Sequence, residues 1–266
     1  SFENTGAFLE EYEKLSELIT QKEFNSWSSG INHSSLLKKS DSILAIADSS
    51  GVLYSDALMS RLSSAGGVKI NGETLKLEGD IFYMMPVEEV NNSSTERKKR
   101  AVGYLRNSIS PNLISMARTI DNANKWKSYS KVFGERRLIV ELFNETIYFN
   151  DNTLSSKMFL RSRKDYESCS FWRCTWKNDV NTPRRLMVNV TLGGVGRWFA
   201  PDGSHQRDVI EDGILGHYTL LLATYNPVPP VNPEPNNFEI SGYVTTSLDV
   251  GTTNELNWGI QVSWFP

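Results

Sequence analysis

Histidine, serine and glycine are the residues of this sequence whose types and spacing come closest to a catalytic or metal site. The three histidines, His33, His205 and His217, stand far apart, and none has a cysteine or a second histidine at zinc-ligand spacing. Gly193-Gly-Val-Gly196 follows an apolar segment, but the full dinucleotide-binding pattern is missing, which favours a strand-to-strand turn. No Gly-x-Ser-x-Gly nucleophile elbow occurs. The sequence therefore predicts a protein that is not an enzyme and needs no metal or cofactor.

Cys169 and Cys174 are the only two cysteines. On one continuous strand, residues five positions apart point to opposite faces, so these thiols are not expected to bond to each other. Two unpaired thiols suit a reducing compartment.

Three acidic residues, Asp208, Glu211 and Asp212, could share a cation. The spacing of a calcium-binding loop is missing, so a solvated acidic loop is favoured.

Charge is unevenly distributed along the chain. Residues 97–185 hold 19 basic and 8 acidic side chains, a net charge of +11, whereas residues 1–96 carry −8 and residues 186–266 carry −6. Such a basic middle indicates either a polyanion partner or neutralisation by the acidic flanks, within one fold or between subunits. For a polyanion such as RNA, the expected contacts are Arg136, Arg137, Arg161, Arg163 and Lys164.

Two further features of the basic middle allow alternative interpretations. Arg97-Lys-Lys-Arg100 is typical of a solvated loop, and also of a processing site, a nuclear signal or a polyanion contact. Phe171, Trp172 and Trp176 follow the second basic cluster, and aromatic rings among basic groups can stack on single-stranded nucleic acid. Strand periodicity instead predicts that Trp172 and Trp176 face a core.

The N-terminal residues 1–65 read as a helical arm. Residues 7–24 are amphipathic, with Phe8, Tyr12 and Leu15 on one face and acidic residues on the other. That apolar face needs a partner, and we expect these three residues to contact the β domain or another subunit. Residues 25–42 read as a linker, and Ser55 is expected to cap a short helix over 56–64.

Residues 66–266 read as antiparallel β structure with a helical insertion near 111–127, which Ser110-Pro111 would start. Residues 138–143 and 147–149 are expected to be strands on either side of a turn at Asn144-Glu145. The other strand candidates before the C-terminal segment are residues 75–83, 171–177, 186–192 and 217–225.

The final segment carries the clearest pattern. Residues 238–250 and 256–264 both alternate apolar and polar side chains, and a short polar loop joins them. This pattern predicts an antiparallel hairpin with Trp258, Val262 and Trp264, together with Ile260, on its buried face. Because strand and helix signals do not alternate, we expect an antiparallel sandwich or barrel and not a parallel sheet.

The arrangement resembles the jelly-roll capsid proteins of picorna-like positive-strand RNA viruses. A partly helical arm leads into about eight strands, with 217–225 as the penultimate candidate and a proline-rich crossing at 227–235. The resemblance covers residues 66–266 and lies in the architecture, because no specific motif carries it. It implies a mainly β, antiparallel jelly-roll sandwich with a helical N-terminal arm.

The resemblance also implies a function. The chain would be a structural capsid subunit that self-assembles, in the host cytoplasm, into the icosahedral shell of an RNA virion. Its partners would be other capsid subunits, genomic RNA bound without sequence preference, and an unidentified host receptor. No membrane span is expected, since no stretch of 18 apolar residues occurs.

The alternative is a secreted β-sandwich binding protein or toxin that recognises carbohydrate or membrane. A third possibility is a hydrolase whose catalytic residues are brought together only by the fold.

Overall fold

A computed structural model of the 266-residue chain describes residues 1–18, 20, 22–23, 26–27, 55–63, 67–78, 81–86, 126–148, 154–179, 181–195, 203–207, 216–225 and 237–264. The protein is mainly β, as the sequence predicts. The described helices include α1 (Thr5–Ser16) and α2 (Asp56–Arg61). The strands are β1 (Gly67–Ile70), β2 (Glu73–Glu78), β3 (Ile81–Pro86), β4 (Trp126–Phe133), β5 (Arg136–Tyr148), β6 (Leu154–Ser170), β7 (Arg173–Asn178), β8 (Arg184–Val195), β9 (Gly203–Arg207), β10 (Tyr218–Tyr225), β11 (Asn237–Leu248) and β12 (Leu256–Trp264).

The described strands form three antiparallel sheets. Sheet I has the order β1-β2-β3, sheet II the order β10-β6-β5-β4 with β7 added to β6, and sheet III the order β12-β11-β8-β9. Sheets II and III pack face to face and bury their facing side chains in one core. Successive side chains of a strand point to opposite faces of its sheet, so every second residue can contribute to this core. That core includes Leu138, Val140, Leu142, Met158, Leu160, Leu186, Val188, Val190, Tyr218, Leu220, Phe238, Ile240, Val244, Trp258, Val262 and Trp264.

One pair of sheet edges is also joined by polar contacts. The Tyr129 hydroxyl of β4 donates to the Ser263 carbonyl of β12 at 2.9 Å and accepts from the Ser263 amide at 3.0 Å. Lys127 donates to the same carbonyl at 2.8 Å. These bonds give partners to the backbone amide and carbonyl of Ser263 on β12, an edge strand of sheet III. Backbone groups on an edge strand are otherwise unpaired.

The predicted C-terminal hairpin is confirmed. Val244 pairs with Ile260 and Thr246 with Trp258, which places the alternating apolar positions of both strands on the core face. The connecting loop contains Asp249 with φ 52° and Gly251 with φ 78°, both in the left-handed region that a tight reversal uses.

The N-terminal helices form a second apolar cluster with sheet I. Asn4 caps α1 by accepting from the Ala7 amide at 2.9 Å, and Ser55 caps α2 through the Leu58 amide at 3.1 Å. The cluster includes Phe8, Tyr12, Leu15, Ala57, Leu58, Met59, Leu62, Val68, Ile70, Leu75 and Ile147 of β5. Apolar packing therefore crosses the boundary predicted at residue 65 and ties the N-terminal segment to sheet II.

Some element bounds differ from the sequence prediction. Helix α1 ends at Ser16 and not near residue 24. Strand β5 runs without a turn through Asn144-Glu145, because Met158 and Lys157 of β6 pair with these residues. Trp126 and Lys127 begin strand β4 and do not end a helix. Other predictions lie outside the described residues: the helix at 111–125, the basic run 97–100, most of the linker 25–42, His33, Gly196, the acidic residues 208–212 and the proline-rich crossing 227–235.

Among the described residues, no helix has both the length and the apolar character that crossing a bilayer requires.

Candidate functional site

The hairpin of β6 and β7 extends beyond the rest of sheet II. The last pair between β5 and β6 is Arg136 with Tyr166, whereas β6 continues to Ser170 paired only with β7. The register brings Cys169 opposite Cys174 and leaves Phe171 and Trp172 as the two-residue turn. The end of this hairpin, residues 169–174, is called the tip below.

The tip exposes two large aromatic side chains. Phe171 is 101% exposed and Trp172 is 97% exposed, although each ring would bury a large apolar area in a core or interface. The expectation that Trp172 faces a core is therefore wrong, because residue 172 lies in the turn and not on a strand face. Two adjacent aromatic rings with no intramolecular cover are typical of a contact surface.

A disulfide bond joins Cys169 to Cys174 across the tip. The expectation that these cysteines do not bond is wrong, because it placed both on one strand, whereas a turn at 171–172 places them opposite each other. The spacing Cys-x4-Cys was the available signal, since a two-residue hairpin turn pairs residues five positions apart. A disulfide indicates an oxidising compartment more than a reducing one.

Alkylation of the two cysteines tests this bond. In denatured protein that has not been reduced, we expect no iodoacetamide adduct on Cys169 or Cys174, and two adducts after reduction. Intact-mass spectrometry counts the adducts. Two adducts before reduction would show that the tip lacks its covalent link.

Glu167, two residues before the tip, has a carboxylate oxygen within 4.8 Å of both cysteine sulfurs. Glutamate and cysteine are both residue types that can bind a metal ion. Metal binding uses the thiolate form of cysteine, and a disulfide sulfur is not a thiolate. The bonded tip therefore does not have the donor set of a metal site.

The base of the hairpin is attached to sheet II. The Arg137 guanidinium lies 4.8 Å from the centre of the Trp176 ring, a cation–π contact. The Glu167 amide donates to the Glu135 carbonyl at 2.7 Å, and the Asp179 amide donates to the Lys164 carbonyl at 2.9 Å. These contacts fix the direction in which the tip projects.

Two of the predicted RNA contacts are buried in an ion-pair network on the outer face of sheet II. Arg161 contacts Glu141 at 2.8 Å, and Arg163 contacts Glu141 at 3.2 Å and Asp165 at 2.8 Å. Asp165 also pairs with Arg137. Arg161, Glu141 and Arg163 are buried, so the two arginine charges are offset inside the protein by Glu141 and Asp165.

The other predicted RNA contacts are paired as well. Arg136 pairs with Asp249, and Lys164 lies 2.7 Å from Asp179 on the opposite face of sheet II. Arg161, Arg163 and Lys164 are therefore buried beside acidic partners, and Arg136 and Arg137 are paired with acidic residues too, while RNA contact by these five residues stays a prediction.

The buried network lowers the pKa of Glu141. Burial alone would raise the pKa of this carboxyl group, but the charges of Arg161 and Arg163 outweigh burial and lower the pKa below the ordinary value of a glutamate. Glu141 is thus held ionised between two arginines.

The predicted subunit contacts Phe8, Tyr12 and Leu15 are buried within the same chain. The Tyr12 hydroxyl and the Ser55 hydroxyl both donate to Glu145 of β5, and the Ser55 amide donates to it at 2.8 Å. Burial raises the pKa of Glu145, and burial together with the Glu145 charge raises the pKa of Tyr12 well above its ordinary value. The helix therefore docks on its own β domain.

His217 is buried against Asp56 of α2, which joins the helix to the start of β10. Burial would raise the pKa of Asp56, but His217 and Arg161 outweigh it and lower that pKa. Among the residues that the structure describes, none is a hydrogen-bond partner of the second ring nitrogen of His217, Nδ1. A base in a catalytic triad bonds both an acid and a nucleophile, and within this part of the chain His217 bonds only the acid.

No protein-family model, no curated protein and no solved structure matches this chain. Among the described residues, the exposed pair Phe171 and Trp172 makes the tip the candidate surface for an external contact.

Proposed function

We propose that this protein is a recognition protein of an oxidising compartment, and that it binds its target surface through the tip. This is the secreted binding protein or toxin that the sequence allowed as an alternative. The observation that carries the proposal is the full exposure of Phe171 and Trp172 at the end of a disulfide-linked hairpin. Large aromatic residues carry much of the energy of protein interfaces, so two exposed ones have a strong effect on binding.

The disulfide and the rigid base support this proposal. A linked hairpin with Arg137 stacked on Trp176 orders the contact surface before binding, which reduces the entropy lost on association. A loop that served only to connect two strands would not need aromatic residues at its turn.

A capsid subunit is the second candidate. Two stacked antiparallel sheets with an N-terminal helical layer support it, because many capsid proteins have a sandwich architecture. The finer jelly-roll proposal requires two Greek keys, in which a fourth strand returns beside the first. In sheet II the strands β4, β5 and β6 are consecutive neighbours and β10 lies beside β6, so the capsid candidate rests on the sandwich and not on a Greek-key path.

Sedimentation velocity and surface binding together test the proposed function. We expect the purified protein to sediment as a small species, and to bind at least one surface in a panel of glycan arrays and supported lipid bilayers. The double variant Phe171→Ser/Trp172→Ser should lose that binding. Tyr243→Ser is the matched control, since Tyr243 is a 54% exposed aromatic residue that lies on sheet III, whereas the tip belongs to sheet II.

The outcomes separate the two candidates. Particles seen by electron microscopy would favour the capsid subunit. Equal binding by the wild type, the double variant and the control to every surface would overturn recognition through the tip.

A further inference from the structure

We propose that the target of the tip is an anionic lipid bilayer, into whose interfacial region Phe171 and Trp172 insert. This inference rests on the proposed function and names its target. Three features of the tip carry it: the chemistry of its aromatic residues, the position of its basic residues and its convex shape.

The aromatic pair suits the boundary between lipid and water. Tryptophan is enriched at membrane interfaces, where its ring contacts apolar chains while its indole N–H reaches polar groups. Phe171 beside it adds purely apolar area, and both rings are exposed on all sides. Shallow insertion of such side chains requires no change of fold.

Basic residues follow the tip along one face of β7. Arg173 and Lys177 are four residues apart, so they point to the same face of the strand, and both are exposed. Tyr166, 40% exposed, lies opposite Lys177 on that face. Arg173 adjoins the aromatic pair, and Lys177 lies about 13 Å farther along the strand. If the tip enters a bilayer by about 5–10 Å, both basic side chains lie near the lipid headgroups. Anionic headgroups attract lysine and arginine there.

The shape of the tip favours a membrane over a carbohydrate. Small ligands bind in concave sites where a few polar groups converge on them. The tip is a convex projection, because the pairs Ser168–Thr175, Cys169–Cys174 and Ser170–Arg173 lie beyond the last pair of β5 with β6. The paired strands keep their backbone groups hydrogen-bonded up to the turn, which limits the unpaired groups that would enter the lipid.

Vesicle flotation with the full-length, oxidised protein tests the inference. Vesicles of phosphatidylcholine alone are compared with vesicles that also contain phosphatidylserine. We expect the wild type to bind the anionic vesicles and to bind less as salt increases. Trp172→Ser and Phe171→Ser should each lower the partition coefficient about tenfold, which corresponds to burial of one large apolar side chain.

The basic residues have their own expected effect. Arg173→Gln and Lys177→Gln should each lower binding to anionic vesicles about fivefold and leave binding to neutral vesicles almost unchanged. Tyr243→Ser should bind like the wild type. Circular dichroism of each variant confirms that the sandwich is still folded.

The results distinguish failure of this inference from failure of the proposed function. If the wild type does not float with anionic vesicles, yet the tip double variant loses binding to a glycan or a protein surface, the membrane inference is overturned and recognition by the tip stands. If the wild type and the tip variants behave alike on every surface, both are overturned.

Discussion

Trp258→Ala and Trp264→Ala should each lower the free energy of unfolding by about 3–5 kcal/mol. Both indole rings lie in the core between sheets II and III, 8% and 7% exposed, and truncation leaves a cavity that the close-packed sheets cannot fill. Since a domain has about 5–15 kcal/mol of stability in total, we expect each variant to be largely lost from the soluble folded fraction.

Urea unfolding followed by circular dichroism measures this loss. Gln261→Ala is the matched control on the same strand, because Gln261 is exposed and pairs with Tyr243 on the outer face of sheet III. Its effect should stay within about 0.5 kcal/mol. Equal tolerance of all three substitutions would mean that β12 does not pack on this core.

Glu141→Gln should destabilise the protein by about 3–5 kcal/mol at neutral pH. The substitution removes one charge from a buried network. Arg161 loses its hydrogen-bonded carboxylate and keeps only the charge of nearby Asp56, while Arg163 retains Asp165. An arginine that stays buried and loses its partner costs far more than the loss of an exposed ion pair. The urea midpoint at pH 7 gives this difference.

The effect should depend on pH in a defined direction. Because the pKa of Glu141 is lowered in the folded state, its stabilising contribution is complete above the pKa of the unfolded chain, about 4.3. The contribution is lost as the pH falls through the lower folded value. The difference in stability between the wild type and Glu141→Gln should therefore shrink below about pH 4.

Glu239→Gln is the control for this experiment, since Glu239 lies on β11, partly exposed and outside the network. Its stability should follow that of the wild type at each pH. A wild-type protein and a Glu141→Gln variant with equal midpoints at pH 7 would contradict the buried network.

The alternating strands were predictable because their signal is local. Strands β11 and β12 each bury apolar residues on the face that their alternation predicts, and the structure places these residues in the core. The N-terminal cap of α2 was also predictable, since Ser55 bonds an amide only three residues away.

Strand β6 was missed because its sequence contradicts the usual pattern. Arg161, Arg163 and Lys164 read as an exposed basic cluster, yet they lie in the middle of a 17-residue strand and are buried. Burial is possible there because Glu141 and Asp165 of neighbouring positions neutralise the arginines, and Asp179 neutralises the lysine. The sequence of β6 alone does not show which residues elsewhere in the chain pair with its basic side chains.

The amino-acid sequence was enough to predict an antiparallel β protein with an apolar C-terminal hairpin. Each of these depends on the spacing of neighbouring side chains. The three-dimensional structure was needed to show which charges neutralise one another, that Cys169 bonds to Cys174, and that Phe171 and Trp172 lie on an exposed turn. Burial and pairing depend on the register between strands, and contacts between residues distant in the sequence establish that register.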